Sequence, residues 1–375
     1  VVNDGSVIET TGIGAITLNG TGGNGTNFNH GIEIFSSSIL STVNGDIRII
    51  GTGGGTGVGN SGIDIQDRAV LGSTGTGNIS LEGIGSDGIS SNRGIYINAD
   101  SNVSSVDGNI NLTGISGAGT SSITSDGITV LDGSVVESTG KGNITFNGTG
   151  GSGESRSVGI EIQISSRVSS VDGNILLTGQ GGSGSDGNND GIVLLEGVVE
   201  STGIGNITLN GIGDRNGTEN NIGIDIAREN SRISTTNGNI TLTGTGGNGT
   251  GEGNSGIKLQ EGSVVESTGT GIITLTGTGG NGTDLNFGIQ FLSSSSVSTA
   301  NGDIRITGTG GGTGISNIGL QIQDNISVQS TGTGNIFLEG TGANGMGGSQ
   351  GILINDNSTV SSVNGTINLT GTSGF

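Results

Sequence analysis

Isoleucine and leucine recur along the chain as I-x-L. The first isoleucine falls at residues 16, 47, 79, 110, 144, 175, 207, 240, 273, 304, 336 and 367, twelve copies spaced 31 to 34 residues apart. Each repeat carries two more short apolar elements. One is G-Φ-x-Φ, with Φ apolar, as in Gly159-Ile160-Glu161-Ile162; the other is a single aliphatic before a Ser/Thr pair, as in Val168 before Ser169 and Ser170. Period-two alternation puts the aliphatics on one face and Thr, Glu, Asp or Gln on the other, and no window repeats at helical spacing. Three short strands per repeat, separated by turns, describe one coil of a parallel β-solenoid. The pattern predicts an all-β fold, a right-handed parallel β-solenoid or β-helix of about twelve coils of about 32 residues. It runs as one continuous array over 1–375 and is about 58 Å long at ~4.8 Å per coil. One coil buries too little to stand alone, so stability belongs to the stack.

The spacing has a second layer. From the third-element aliphatic to the next I-x-L isoleucine there are alternately eight and seven residues: Val136 to Ile144, Val168 to Ile175, Val199 to Ile207, Ile233 to Ile240. Long corners read S-T-G-x-G, as at Ser138 to Gly142; short ones read like Ser169-Ser170-Val171-Asp172-Gly173. The repeating unit is therefore a pair of coils. A block duplication lies above that: "STVNGDIRIIGTGGGTG" at 41–57 returns as "STANGDIRITGTGGGTG" at 298–314. Length variation concentrates in the Gly-rich segment between first and second elements, which reads as a loop.

Composition narrows the function. The chain has 84 Gly, no Pro, no Cys and no Trp, and a net charge of −21. Such a surface repels nucleic acid and anionic lipid, and no basic patch with aromatics exists, so nucleic acid is not an expected partner. No disulfide is possible. The chain begins on Val1 within the repeat pattern and reads as a segment of a longer polypeptide.

Several motifs invite a chemical reading. Gly244, Gly246 and Gly249 spell G-x-G-x-x-G after a strand pattern, the form of a dinucleotide-binding turn. The spelling recurs from Gly20, Gly83, Gly148, Gly179, Gly277 and Gly340, and no helix pattern follows to bind a phosphate. These are loop glycines, useful where coils approach closely or φ is positive, and no cofactor is expected. "GGSGSD" and "GGNGTD" match the start of a calcium-binding nonapeptide, which makes Asp186 and Asp284 weak calcium candidates. The hits are isolated and Asn188 and Asn286 stand where an apolar residue belongs, so no metal site is expected. Asn precedes the I-x-L isoleucine seven times (78, 109, 143, 174, 206, 239, 335); stacked, these amides form a ladder along the axis. Solenoid lyases and hydrolases need clustered carboxylates with a cation, or a paired acid and base. Glu33, Asp64, Glu161 and Asp225 share one row, but Tyr96, Thr129, Val193, Lys258 and Leu353 interrupt it, and a solvated face is the reading. His30 is the sole histidine, with Phe287 as its counterpart in the duplicated block. No catalytic residue is assigned and no enzyme activity is expected.

Tandem "GNITLTGTGG" coils with "STGxG" and "SSVDG" corners resemble the repeat regions of large filamentous-haemagglutinin-like bacterial exoproteins, especially the cyanobacterial β-strand repeat type. The resemblance implies secretion through an outer-membrane partner and a secreted or cell-surface location. It also implies adhesion or filament building, with neighbouring copies or coils, or cell-surface and matrix polysaccharide, as partners. The leading expectation is the structural shaft of an adhesin or extracellular filament. The alternatives are a polysaccharide lyase or hydrolase, and a metal- or glycan-binding module.

Overall fold

The structure is a computed structural model and describes residues 1–120, 124–153, 156–214 and 216–374. Each sequence repeat becomes one turn of a parallel β-solenoid. The I-x-L elements form a twelve-stranded sheet from Ile16–Thr21 to Ile367–Thr372, and the G-Φ-x-Φ elements form an eleven-stranded sheet from Ile32–Ile34 to Ile352–Ile354. The third elements form another twelve-stranded sheet, Val7–Thr10 to Thr359–Ser362. The stack therefore has eleven complete coils and a twelfth with two strands. Every pairing is parallel and joins like positions: Ile144 to Ile175 to Ile207, Val136 to Val168 to Val199. No helix occurs among the described residues. The inward aliphatics merge into one core along the axis, in which even Phe146 and Phe291 are fully buried.

The corner before the I-x-L sheet explains the eight/seven alternation. The extra residue of a long corner brings an extra backbone N–H, and the short corner of the preceding coil supplies an acceptor. Thr76 N–H donates to Asn44 Oδ1 (3.3 Å), Lys141 N–H to Asp107 Oδ1 (3.1 Å) and Ile204 N–H to Asp172 Oδ1 (3.4 Å). Gly75, Gly140, Gly203, Gly269 and Gly332 leave the room for these side chains; a Cβ at any of them would lie under 3.0 Å from the Asn or Asp oxygen. Short corners thus carry the cap and long corners the space that receives it.

The expected asparagine ladder is present. Asn109 Oδ1 accepts the N–H of Asn143 (2.9 Å), Asn143 Oδ1 that of Asn174 (2.8 Å), and Asn174 Oδ1 that of Asn206 (2.9 Å). It runs from Asp46 to Ile272, which offers no acceptor, and resumes from Asp303 to Thr366. A second ladder lies buried at the end of the Gly-rich loop. There Asn221 N–H donates to Asn254 Oδ1, Asn254 N–H to Asn286 Oδ1 and Asn286 N–H to Asn317 Oδ1. Its polarity is opposite: the lower coil donates to the upper. The loops therefore stack on one another as the strands do.

The corner between the second and third sheets is a tight turn. Nine of the eleven use two consecutive residues at positive φ, such as Ser36-Ser37, Asp132-Gly133 and Ser293-Ser294. The two exceptions fall where the spacing changes to seven and then nine, with Glu196 and then Arg228 and Asn230 at positive φ. Ile164, at φ +50° and 42% exposed, is a β-branched residue in this left-handed region. Ile164→Asn is expected to raise stability by about 1 kcal/mol, because the branched Cβ loses its clash and little apolar contact is given up. Thermal or urea unfolding checks this; a destabilised variant would show that the Ile164 side chain packs usefully.

Candidate functional site

The three G-x-G-x-x-G glycines of residues 244–249 sit at close backbone approaches. A Cβ at Gly244 would strike the Gly256 carbonyl, one at Gly246 the Asn254 carbonyl, and one at Gly249 the carbonyls of Gly217 and Thr218. None of the three has a positive φ. Close approach alone requires glycine here.

Asp186 and Asp284 lie on Gly-rich loops three coils apart, ~14 Å along the axis at the usual strand spacing. Asp186 is exposed, and Asp284 Oδ1 accepts the Ile315 N–H at 2.8 Å. The structure does not bring these two carboxylates together. No group of three His, Cys, Asp or Glu side chains able to hold a metal ion occurs among the described residues.

The row of Glu33, Asp64, Glu161 and Asp225 departs from the solvated face expected of it. Asp64 is 4% exposed and Glu161 1%, and Thr129, in the same row, is fully buried. The second-sheet strands are only three or four residues long, and the loop end that precedes each strand folds alongside its outer face. The middle residue of G-Φ-x-Φ consequently faces the variable residue of the preceding N/S-x-G. Thr129 Oγ1 donates to Asp126 Oδ2 (3.1 Å) within one coil, and between coils His30 Nδ1 lies 3.5 Å from Asp64 Oδ2 of the next. On the other flank, Gln260 Nε2 donates to Asp225 Oδ1 (3.1 Å). Two rows of variable side chains thus line a groove parallel to the solenoid axis.

Hollows open along this groove. One of about 300 Å³ lies among Phe28, His30, Glu33, Asp64, Arg93 and Tyr96; another lies farther along, among Arg156, Asp190, Val193, Asp225 and Arg228. The cations are engaged. Arg93 Nε contacts Asp126 Oδ2 (3.3 Å), and its guanidinium lies over the Tyr96 ring, 4.5 Å from the centroid; Arg156 donates to Glu161 Oε1 (2.9 Å).

Burial dominates the titration of these groups. It raises Asp64 to about 7, reinforced by Glu33 and opposed by Arg93. Burial, together with Asp126, raises Glu161 to about 7, against the pull of Arg156. Asp225 rises to about 6, held down by Lys258, and burial with the charge of Asp225 lifts Asp190 well above its ordinary value. His30 falls to about 4 by burial, so its contact with Asp64 is made by a neutral imidazole at neutral pH.

These carboxyls hold their protons more tightly folded than unfolded. Between their ordinary values near 4 and the raised values of about 6 to 7, folding takes up protons and stability falls as pH rises. His30 acts oppositely between 6.5 and about 4, because the unfolded imidazole is protonated first. The carboxyls outnumber it, so the melting temperature is expected to be higher at pH 5 than at pH 8. A steady fall from pH 8 to pH 5 would contradict the burial of these acids.

No protein-family model, no curated protein and no solved structure matches the chain.

The outward residues of this row are buried because alternation fixes which side of a strand a residue faces, not what covers that side. A signal was nevertheless present. Every G-Φ-x-Φ is preceded by Asn or Ser two residues before its glycine, from Asn29-His30-Gly31 to Ser349-Gln350-Gly351. That spacing marks a fixed loop end beside the strand.

Proposed function

We propose that the chain is a rigid shaft, a spacer that sets distance and orientation within a secreted, surface-displayed adhesin or extracellular filament of the filamentous-haemagglutinin-like kind. The observation that carries this reading is the unbroken register of all three sheets, with no coil missing a rung between Ile32 and Ile354. A stack in which each coil meets only its neighbours resists bending along its whole length and lengthens by simple addition. The acidic surface keeps such a long object soluble. Antibodies raised against the folded chain are expected to label intact cells that make it. Labelling only after permeabilisation would contradict display at the surface.

A polysaccharide-cleaving enzyme is the second reading, favoured by the raised carboxyls of Asp64 and Glu161 in one groove. We assign no catalytic role to them. Glu161 is tied to Arg156, and Asp64 and Glu161 lie three coils apart, ~14 Å at the usual strand spacing, beyond the separation of a paired glycosidic acid and base. Incubation with acidic and neutral polysaccharides is expected to release neither reducing nor unsaturated ends; release abolished by Asp64→Asn would establish the enzyme.

A further inference from the structure

The duplicated block provides an internal comparison. Residues 16–117 align with 273–374 without a gap at a constant offset of 257, and the first- and third-sheet elements are largely repeated. The groove is not. His30, Glu33, Ser61, Asp64, Arg93 and Tyr96 correspond to Phe287, Gln290, Ile318, Gln321, Gln350 and Leu353. The later copy lines its groove with apolar side chains and an amide chain: Gln290 Nε2 donates to Gln321 Oε1 (2.8 Å), and Gln321 Nε2 to Gln323 Oε1 (2.9 Å). The same coil therefore folds without any ionisable group at these positions.

In the earlier copy Asp64 Oδ1 and His30 Nδ1 are buried with no hydrogen-bond partner, and both side chains line the hollow. Asp64 is 4% exposed. Burying a carboxylate oxygen without a partner opposes folding, and the Gln321 copy shows that the fold does not require it. The groups left unpaired await an external partner.

We propose that this hollow binds a neutral saccharide unit, its hydroxyls donating to Glu33 and Asp64 and its apolar face resting on Phe28. Charge selects this class. The Arg93 guanidinium already serves Asp126 and Tyr96, so the hollow offers phosphate or an acidic sugar no free cation, and the ionised share of Glu33 and Asp64 opposes them. Among the described residues no three His, Cys, Asp or Glu side chains are placed to hold a metal ion, in this hollow or elsewhere. Hydroxyl groups make short, charge-assisted bonds to carboxylates. Phe28, 70% exposed at the rim, offers a ring for the opposite face of the ligand. A volume of about 300 Å³ is at the lower end of small-ligand sites. The site is independent of the shaft reading, since a spacer needs no ligand.

Tyr96 is the sole tyrosine in a chain without tryptophan, so its emission reports on this hollow directly. The probes are cellotetraose, maltotetraose and laminaritetraose, with tetragalacturonate, spermidine and calcium as charged competitors, each followed by tyrosine emission and calorimetry. At least one neutral tetrasaccharide is expected to saturate at one site per chain. The double substitution E33Q/D64Q copies the amide chain of the later block, which the fold accepts. It is expected to weaken binding at least tenfold while melting at or above the parent temperature. Phe28→Ala is expected to weaken binding with unchanged melting. The proposal is overturned if no neutral tetrasaccharide saturates, if only a charged probe does, or if E33Q/D64Q binds as the parent does. Melting of E33Q/D64Q well below the parent would likewise overturn it, by making the cluster a structural network.

Discussion

Deleting one coil is expected to lower the melting temperature by several degrees, whereas deleting two leaves it close to that of the parent. The cuts can be made at identical junctions. Removing 144–174 (174 − 143 = 31 residues) joins Asn143 to Ile175, and removing 144–206 (206 − 143 = 63 residues) joins Asn143 to Ile207. Both restore Asn-Ile at the seam, and both preserve the I-x-L strand. They differ in the corner. The single deletion removes the short corner with Asp172 and stacks the long corner of Ile204 on the long corner of Lys141. The Ile204 N–H then loses the Asp172 oxygen, and Gly140 stands where a capping side chain belongs. That bond lies at an exposed corner where water replaces the lost acceptor, so its loss costs about 0.5–1.5 kcal/mol at most, to which the misfit of two long turns is added. The double deletion puts the short corner of Asn237 on the long corner of Lys141, the natural order. Since solenoid stability is roughly a sum of neighbour terms, it costs only length. Equal melting of the two variants would mean that the alternation is a relic of duplication with no mechanical role.

A single methyl group at the first-sheet corner is expected to be nearly as damaging. A glycine stands two residues before every I-x-L isoleucine, from Gly14 to Gly365, and from Gly45 onward a Cβ there would strike the carbonyl of the equivalent glycine one coil below. In Gly205→Ala the methyl meets the Gly173 carbonyl oxygen. Sheet hydrogen bonds above and below fix both backbones, so neither side yields. Overpacking of this kind costs about 1–3 kcal/mol and more where backbone blocks backbone; about 3 kcal/mol is expected. Gly72→Ala is the control, since its Cβ would meet nothing nearer than Ser104 Oγ at 3.7 Å. Alanine in a strand loses less backbone freedom than glycine on folding, so Gly72→Ala is expected to be neutral or slightly stabilising. Unfolding by urea compares the two; equal effects would contradict the close stacking at the corner.

The strand positions were legible because isoleucine marks them. All twelve I-x-L isoleucines begin a strand and pair with one another in register. The alternation was legible as a count, but its cause was not: whether Asp172 caps the residue beside it or the coil above it depends on which corner is stacked there. The corner glycines were visible only as the last letter of long S-T-G-x-G corners and of short corners such as S-S-V-D-G, and the role they share emerges when coils are superposed. Apart from Gly133 and Gly262, the turns at positive φ between the second and third sheets carried no glycine signal, because Ser36, Asp67 and even Ile164 take that conformation. The groove was hidden for a different reason. Asp64 and Thr129 alternate as outward residues should, and only the folded loop end beside them turns outward into buried.

Insertion of a second copy of the eight-coil block tests the solenoid shaft most directly. Duplicating residues 41–297, from Ser41 to the residue before its counterpart Ser298, keeps corner phase and register. Small-angle X-ray scattering is expected to show an unchanged cross-section and a maximum dimension longer by about 38 Å, eight coils at ~4.8 Å each. A thicker particle, with a radius growing as the 0.38 power of chain length like that of a compact domain, would contradict a stack of coils that grows only along its axis.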